Sequence, residues 1–163
     1  MFPSIFSDEL ALDFPETLPI LKSWGLRHVD LRGRVLGKHF EALSVEELKQ
    51  VKKLIDEHGF QIGCLQSSLA KVHLPDKERQ KAEADKLEAI VRAADILECR
   101  LVRAFFYWQP DAELRGELAI RPDLQQQVLD MFRPLAERAR EADLVLGFEN
   151  CGVTPDEVIT MVD

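Results

Sequence analysis

One segment type recurs four times in this chain, each copy a helix end followed by a short apolar strand: residues 25–32, 59–66, 98–105 and 142–149. Their first residues stand 34, 39 and 44 positions apart, the length of one strand, one helix and two loops. Strands joined by helices of that length imply a parallel sheet, so the fold class is α/β.

Side chains on a strand alternate between its two faces, and the copies can be compared position by position. Val29 and Leu31, Gly63 and Leu65, Val102 and Ala104, and Leu146 and Phe148 share one face, which is apolar and suited to pack on helices. Asp30 and Arg32, Cys64 and Gln66, Arg103 and Phe105, and Gly147 and Glu149 share the other. That second face turns polar toward the carboxyl end of each strand, where parallel α/β folds build their ligand sites.

The remaining elements follow from their signals. Phe2 to Ser7 is a short apolar run containing Pro3, readable as a first edge strand. A helix is expected over Asp13 to Trp24 with Leu18, Leu21 and Trp24 on one face, stopped by Gly25. Ser44 and Glu47 form a capping box for a helix to His58, which Gly59 ends. Ser67 to Asp76 reads as a long loop, followed by a charged helix from about Lys77 to Leu97 with Leu87, Ile90, Val91, Ala94 and Leu97 as its buried stripe. Another is expected over Pro122 to Ala142, with Leu124, Val128, Phe132, Leu135 and Ala139 inward and a kink or break at Pro134. Thr154, Pro155 and Glu157 announce a last helix.

With 163 residues and 46% hydrophobic content, a single domain over 1–163 is expected. A closed (β/α)8 barrel takes about 250 residues, so five βα units here read as a TIM-barrel type truncated after about the fifth. A free-standing doubly wound sheet would show a glycine-rich phosphate turn, and neither G-x-G-x-x-G nor G-x-x-x-x-G-K-[ST] occurs. The net charge of −8 argues against a nucleic-acid surface. No stretch reaches the roughly 18 apolar residues of a membrane span. Cys64, Cys99 and Cys151 are odd in number and unpaired in spacing, which fits a cytoplasmic setting.

Taken together, Arg27 to Arg32, Ser67 to His73, Leu101 to Phe105 and Val145 to Asn150 resemble the sugar phosphate isomerase/epimerase superfamily, the xylose-isomerase-like TIM barrels. The resemblance implies that Glu149, at the end of the fifth strand, is the first ligand and catalytic carboxylate of a divalent metal site for Mn, Mg or Co, with Zn also admissible. The other ligands would lie beyond Asp163, and the family's frequent histidine is here Cys151. Such a metal polarises the carbonyl of an open-chain sugar or sugar phosphate and acidifies the neighbouring C–H. The competing reading of Glu149 is an ion pair with Arg103.

Arg103 could bind a hydroxyl, carboxylate or phosphate, while Asp30, Arg32 and Gln66 could bond sugar hydroxyls. His73 overhangs the mouth as a substrate contact, and Phe105 to Trp108 could wall a sugar ring. His28, near a strand start, His39 in a loop and His58 at a helix end are not strong candidates. Three functions are weighed: a metal-dependent isomerase or epimerase, the metallophosphodiesterase (AP-endonuclease-like) branch of the same superfamily, and a non-catalytic partial barrel whose open edges pair with another copy as a homo-oligomer.

Overall fold

A computed structural model describes residues 2–71, 77–105, 122–149 and 154–162. The elements run α1 (Phe14–Ser23), β1 (His28–Leu31), α2 (Val45–His58), β2 (Gln61–Leu69), α3 (Lys77–Leu97), β3 (Leu101–Phe105), α4 (Pro122–Glu141), β4 (Val145–Glu149) and α5 (Pro155–Val162). A 3-10 turn over Phe40–Ala42 lies between β1 and α2. The strands form one parallel sheet in the order β1-β2-β3-β4. Among the described residues no helix is long and apolar enough to cross a membrane.

The first expected strand is shorter than its apolar run. Asp30 N–H donates to the Ile5 carbonyl and Ser7 N–H to the Asp30 carbonyl, both at 2.8 Å, giving a parallel bridge at Phe6 and nothing longer. Pro3 has no N–H to extend the ladder, and the chain turns from Ser7 onward.

Contacts divide the chain into two compact units, 1–67 with 88–102 and 68–87 with 103–163. In the first, Phe14, Leu18 and Leu21 of α1, Leu48, Val51 and Ile55 of α2, and Val29, Leu31 and Leu65 of the sheet are buried with Ile90, Ala93, Ala94 and Leu97 of α3. In the second, Leu69, Ala104 and Phe105 are buried, as are Val128, Met131, Phe132, Leu135 and Ala139 of α4. The apolar strand face is thus the helix-covered one.

Local signals behave as their chemistry demands. The Ser44 hydroxyl accepts from Glu47 N–H while the Glu47 carboxylate accepts from Ser44 N–H, a complete capping box. Gly59 closes α2 at φ +71°, a conformation that glycine adopts without steric cost. Trp24 departs from expectation: α1 ends at Ser23, and the indole, at the cap, is 56% exposed rather than aligned with Leu18 and Leu21. On α3, Ala93 takes the buried place expected of Val91. Pro134 lies inside α4, which runs from Pro122 to Glu141. It and Asp130, whose carbonyl would have taken the missing N–H, are both exposed, so water can serve that carbonyl.

The largest difference is at β2, which continues through Ser67, Ser68 and Leu69 where a loop was expected. Burial alternates unbroken along Leu65, Ser67 and Leu69. The two serines hid the strand because their side chains carry no apolar signal.

The register between β1 and β2 slips by one residue, with Val29 opposite Ile62 but Leu31 opposite Leu65. Gly63 lies in the slip. A methyl group there would come within 2.6 Å of Asp30 Oδ1, 3.2 Å of Ser4 Oγ and 3.3 Å of the Phe2 ring. Gly63→Ala is therefore expected to destabilise the fold by about 1–3 kcal/mol, the usual cost of overpacking; denaturant unfolding with a change under about 0.5 kcal/mol would refute the tight approach.

Candidate functional site

The sequence-derived site residues of the first unit are bound to one another or to the amino-terminal segment. Asp30 accepts from Ser4 Oγ at 2.6 Å on Oδ1 and from Gln66 Nε2 at 2.9 Å on Oδ2, so Asp30 and Gln66 are brought together across β1 and β2. Arg32 turns to the loop before α1: its Nε donates to Asp8 Oδ1 at 2.9 Å and its Nη2 to Glu9 Oε1 at 2.8 Å. The guanidinium also covers Phe6, 4.3 Å from the ring centre, and Gly33 N–H donates to Asp8 Oδ2 at 3.3 Å. Those bonds make Arg32 a fastener of the 5–9 segment. Neither Asp8 nor Glu9 is visible as its partner in sequence, because they lie 24 and 23 positions away.

In the second unit Arg103 and Glu149 meet. Arg103 Nη1 donates to Glu149 Oε2 at 2.9 Å, with side-chain exposures of 18% and 41%. The direction of Glu149 follows from its neighbour: Phe148 packs on Phe132 of α4 with ring centres 5.2 Å apart, so the next residue of the strand projects away from that helix. The half-open carboxylate keeps access to solvent while the guanidinium supplies its counter-charge.

Phe105 has no exposed surface. Lys71 Nζ lies 4.8 Å and Arg103 Cζ 5.0 Å from its ring centre, so the ring supports two cations and is not an open wall for a sugar. Lys71 was not singled out by the sequence; nothing in its loop-like context marks a lysine as special. Phe106, Tyr107, Trp108 and His73 fall outside the described residues, as do Asn150 and Cys151.

The other titratable groups have local roles. His28 stacks on Phe2 at 3.7 Å between ring centres and bonds Gln61. His58 Nδ1 bonds the Leu54 carbonyl at 2.9 Å, and His39 lies 3.7 Å from Glu41. Burial pushes the Cys99 thiol up from its ordinary value, and its hydrogen is directed at the Leu101 carbonyl, so it is a packed, unreactive thiol.

A cavity of about 610 Å³ opens near the start of β2, lined by Lys52, Asp56, Phe60, Gln61 and Glu98 among others. Hydrogen bonding to Asp56 holds the Lys52 ammonium above its ordinary pKa, and Glu98 adds to it. That is the amino end of the strand, opposite to where this architecture performs chemistry.

Glu149 fits a hard divalent cation as one oxygen donor. Among the described residues no three of histidine, cysteine, aspartate and glutamate gather into a metal cluster.

A family model described as xylose isomerase-like TIM barrel matches residues 18–163. No curated protein matches the sequence. Among solved structures, a D-tagatose 3-epimerase-like protein aligns with TM-score 0.74 at 16% identity, over 100% of this chain and 60% of its own. An IOLI protein with a zinc atom aligns at 0.72 and 13% identity, again over 100% and 60%. A xylose isomerase-like TIM barrel protein from Mycobacterium smegmatis in complex with magnesium aligns at 0.66 and 16% identity, over 91% and 51%. At these identities the likeness concerns the fold, which is α/β of the TIM-barrel type. The chain spans between about half and three fifths of the length of these structures.

Proposed function

The chain belongs to the xylose isomerase-like TIM barrel family, and on that premise we propose that it is part of a metal-dependent enzyme acting as an isomerase or epimerase on a sugar or sugar phosphate. The observation that carries the reading is the position of Glu149: last residue of β4, turned away from α4, half-open, and oriented by Arg103. A divalent cation held there would polarise a substrate carbonyl and acidify the adjacent C–H. The structures of family-like proteins with magnesium and zinc support that assignment, and the remaining donors are proposed to come from outside the described residues.

The chain's own groups have definable parts in this proposal. Arg103 fixes the direction of the Glu149 carboxylate. Arg103 is also proposed as a contact for a substrate hydroxyl, carboxylate or phosphate oxygen. Asp30 and Gln66, linked to each other, present a polar surface on the same type of strand face. A cytoplasmic setting belongs to the reading, supported by Cys64 and Cys99, which form no disulfide among the described residues; nucleic acid and membrane partners do not.

Titration with Mn²⁺, read by calorimetry, tests the assignment. Glu149→Ala is expected to weaken binding by about tenfold or more, the loss of one charged oxygen ligand. Equal affinity in the variant and the parent would remove Glu149 from any metal site.

A further inference from the structure

Asp30 differs from the other carboxylates of the polar face and its surroundings. Asp8 is ion-paired with Arg32 and Glu149 with Arg103, whereas both oxygens of Asp30 are held by neutral donors, Oδ1 by the Ser4 hydroxyl and Oδ2 by the Gln66 amide. Among the described residues no cation forms an ion pair with it, and Arg32, two positions along the same strand, is committed to Asp8 and Glu9. An ionised carboxylate offers about four lone-pair sites, so this half-buried group keeps capacity to accept on each oxygen.

The fold is shaped around that carboxylate. Ser4 is placed from both sides: before it, Phe2 stacks on His28; after it, Phe6 bridges Asp30 and the Asp8 and Glu9 carboxylates hold Arg32. Gly63 leaves open the space that the Ser4–Asp30 hydrogen bond fills, since a Cβ there would meet both partners. An exposed serine hydroxyl gains little by bonding a carboxylate instead of water, yet three separate fastenings of the amino-terminal segment bring this one to Asp30.

We propose that Asp30 anchors hydroxyl groups of the substrate and that Ser4 is the positioning residue that aims it. A hydroxyl donates to the lone pairs that Ser4 and Gln66 leave over, and a bond to a charged acceptor is stronger than one to a neutral acceptor. A phosphate or a carboxylate has no proton to give at neutral pH and is repelled by a carboxylate without a counter-cation. The end of the substrate that meets β1 and β2 is therefore a neutral polyol, and any anionic group lies elsewhere. This inference rests on the proposed function and narrows it.

Calorimetric titration of the chain with D-fructose tests it. Asp30→Asn keeps the shape of the side chain and removes its charge, and is expected to weaken D-fructose binding about tenfold. Ser4→Ala, at an exposed position that the fold tolerates, should weaken it about threefold, and Ser4→Thr, which keeps the hydroxyl, should restore it. A merely structural serine would instead lower the midpoint of denaturant unfolding and leave the affinity unchanged. The proposal is overturned by that result, by equal affinity in Asp30→Asn of unchanged circular dichroism, or by a parent chain that does not bind D-fructose. The Mn²⁺ titration of Glu149→Ala is read separately, so a failed metal assignment and a failed hydroxyl anchor are told apart.

Discussion

Phe105→Ala is expected to lower the unfolding free energy by about 3–5 kcal/mol, the range for truncating a fully buried phenylalanine. The residue has no exposed surface, so the transfer term is complete, and two cations lose the ring they rest on. In a chain of this length each kcal/mol moves the melting temperature by about 2–4 °C, which puts the loss within easy reach of thermal unfolding. Phe105→Leu separates the contributions: it keeps most of the apolar volume and gives up the π face, worth about 0.5–1 kcal/mol per exposed cation. An alanine variant melting within a degree or two of the parent would mean that the ring is not part of the core.

Glu83 is 5% exposed and accepts from Lys86 Nζ at 2.7 Å and from the Ala70 N–H, at the end of β2, at 2.6 Å; Glu83→Ala should cost about 3 kcal/mol by a different route. Removing one member of a buried pair leaves the other charge without its partner, typically at 3–5 kcal/mol. Lys86 is 27% exposed in its side chain and can recover part of its hydration, which moves the estimate to the lower end. The Ala70 N–H has no such recourse because Ala70 is fully buried, and an orphaned donor costs about 1–3 kcal/mol. Glu83→Gln, which retains an acceptor for Ala70 but no charge for Lys86, should fall between alanine and the parent. Denaturant unfolding in which the alanine variant loses less than about 1 kcal/mol would show that the carboxylate does not hold the turn.

The architecture was legible in the sequence because its signals are local. Strand alternation placed Val29, Leu31, Val102 and Ala104 on the covered face; the Ser44 and Glu47 box and Gly59 marked both ends of α2. Where expectation and structure part, the deciding contact is distant or the signal is mute. Ser67 and Ser68 read as loop because hydroxyls are common in turns, yet the sheet claims them. Arg32 looked like a group free to meet a ligand until the folded chain brought Asp8 and Glu9 to it.

Of the candidate site, the Arg103 and Glu149 pair was foreseeable from two strand ends with matching phase, and it was the plainer of the two readings considered for Glu149. The contacts of Lys71 and Glu83 at the end of β2 were not foreseeable. One follows a segment without apolar period, and the other sits in a charged helix whose acidic residues mostly meet water; only the turn at Ala70 distinguishes them.

The alternation along the strands divides the chain's tolerance to mutation into two nearly independent ledgers. Val29, Leu31, Val102 and Ala104 answer to cohesion alone, so aliphatic exchange there drifts without touching the polar face. Positions 30, 66, 103 and 149 carry little of the apolar interior, so polar exchange there leaves the covered face intact. The end of β2 breaks that independence: the polar contact of Glu83 is tied to a buried turn at Ala70, so an exchange at either position alters packing and hydrogen bonding together.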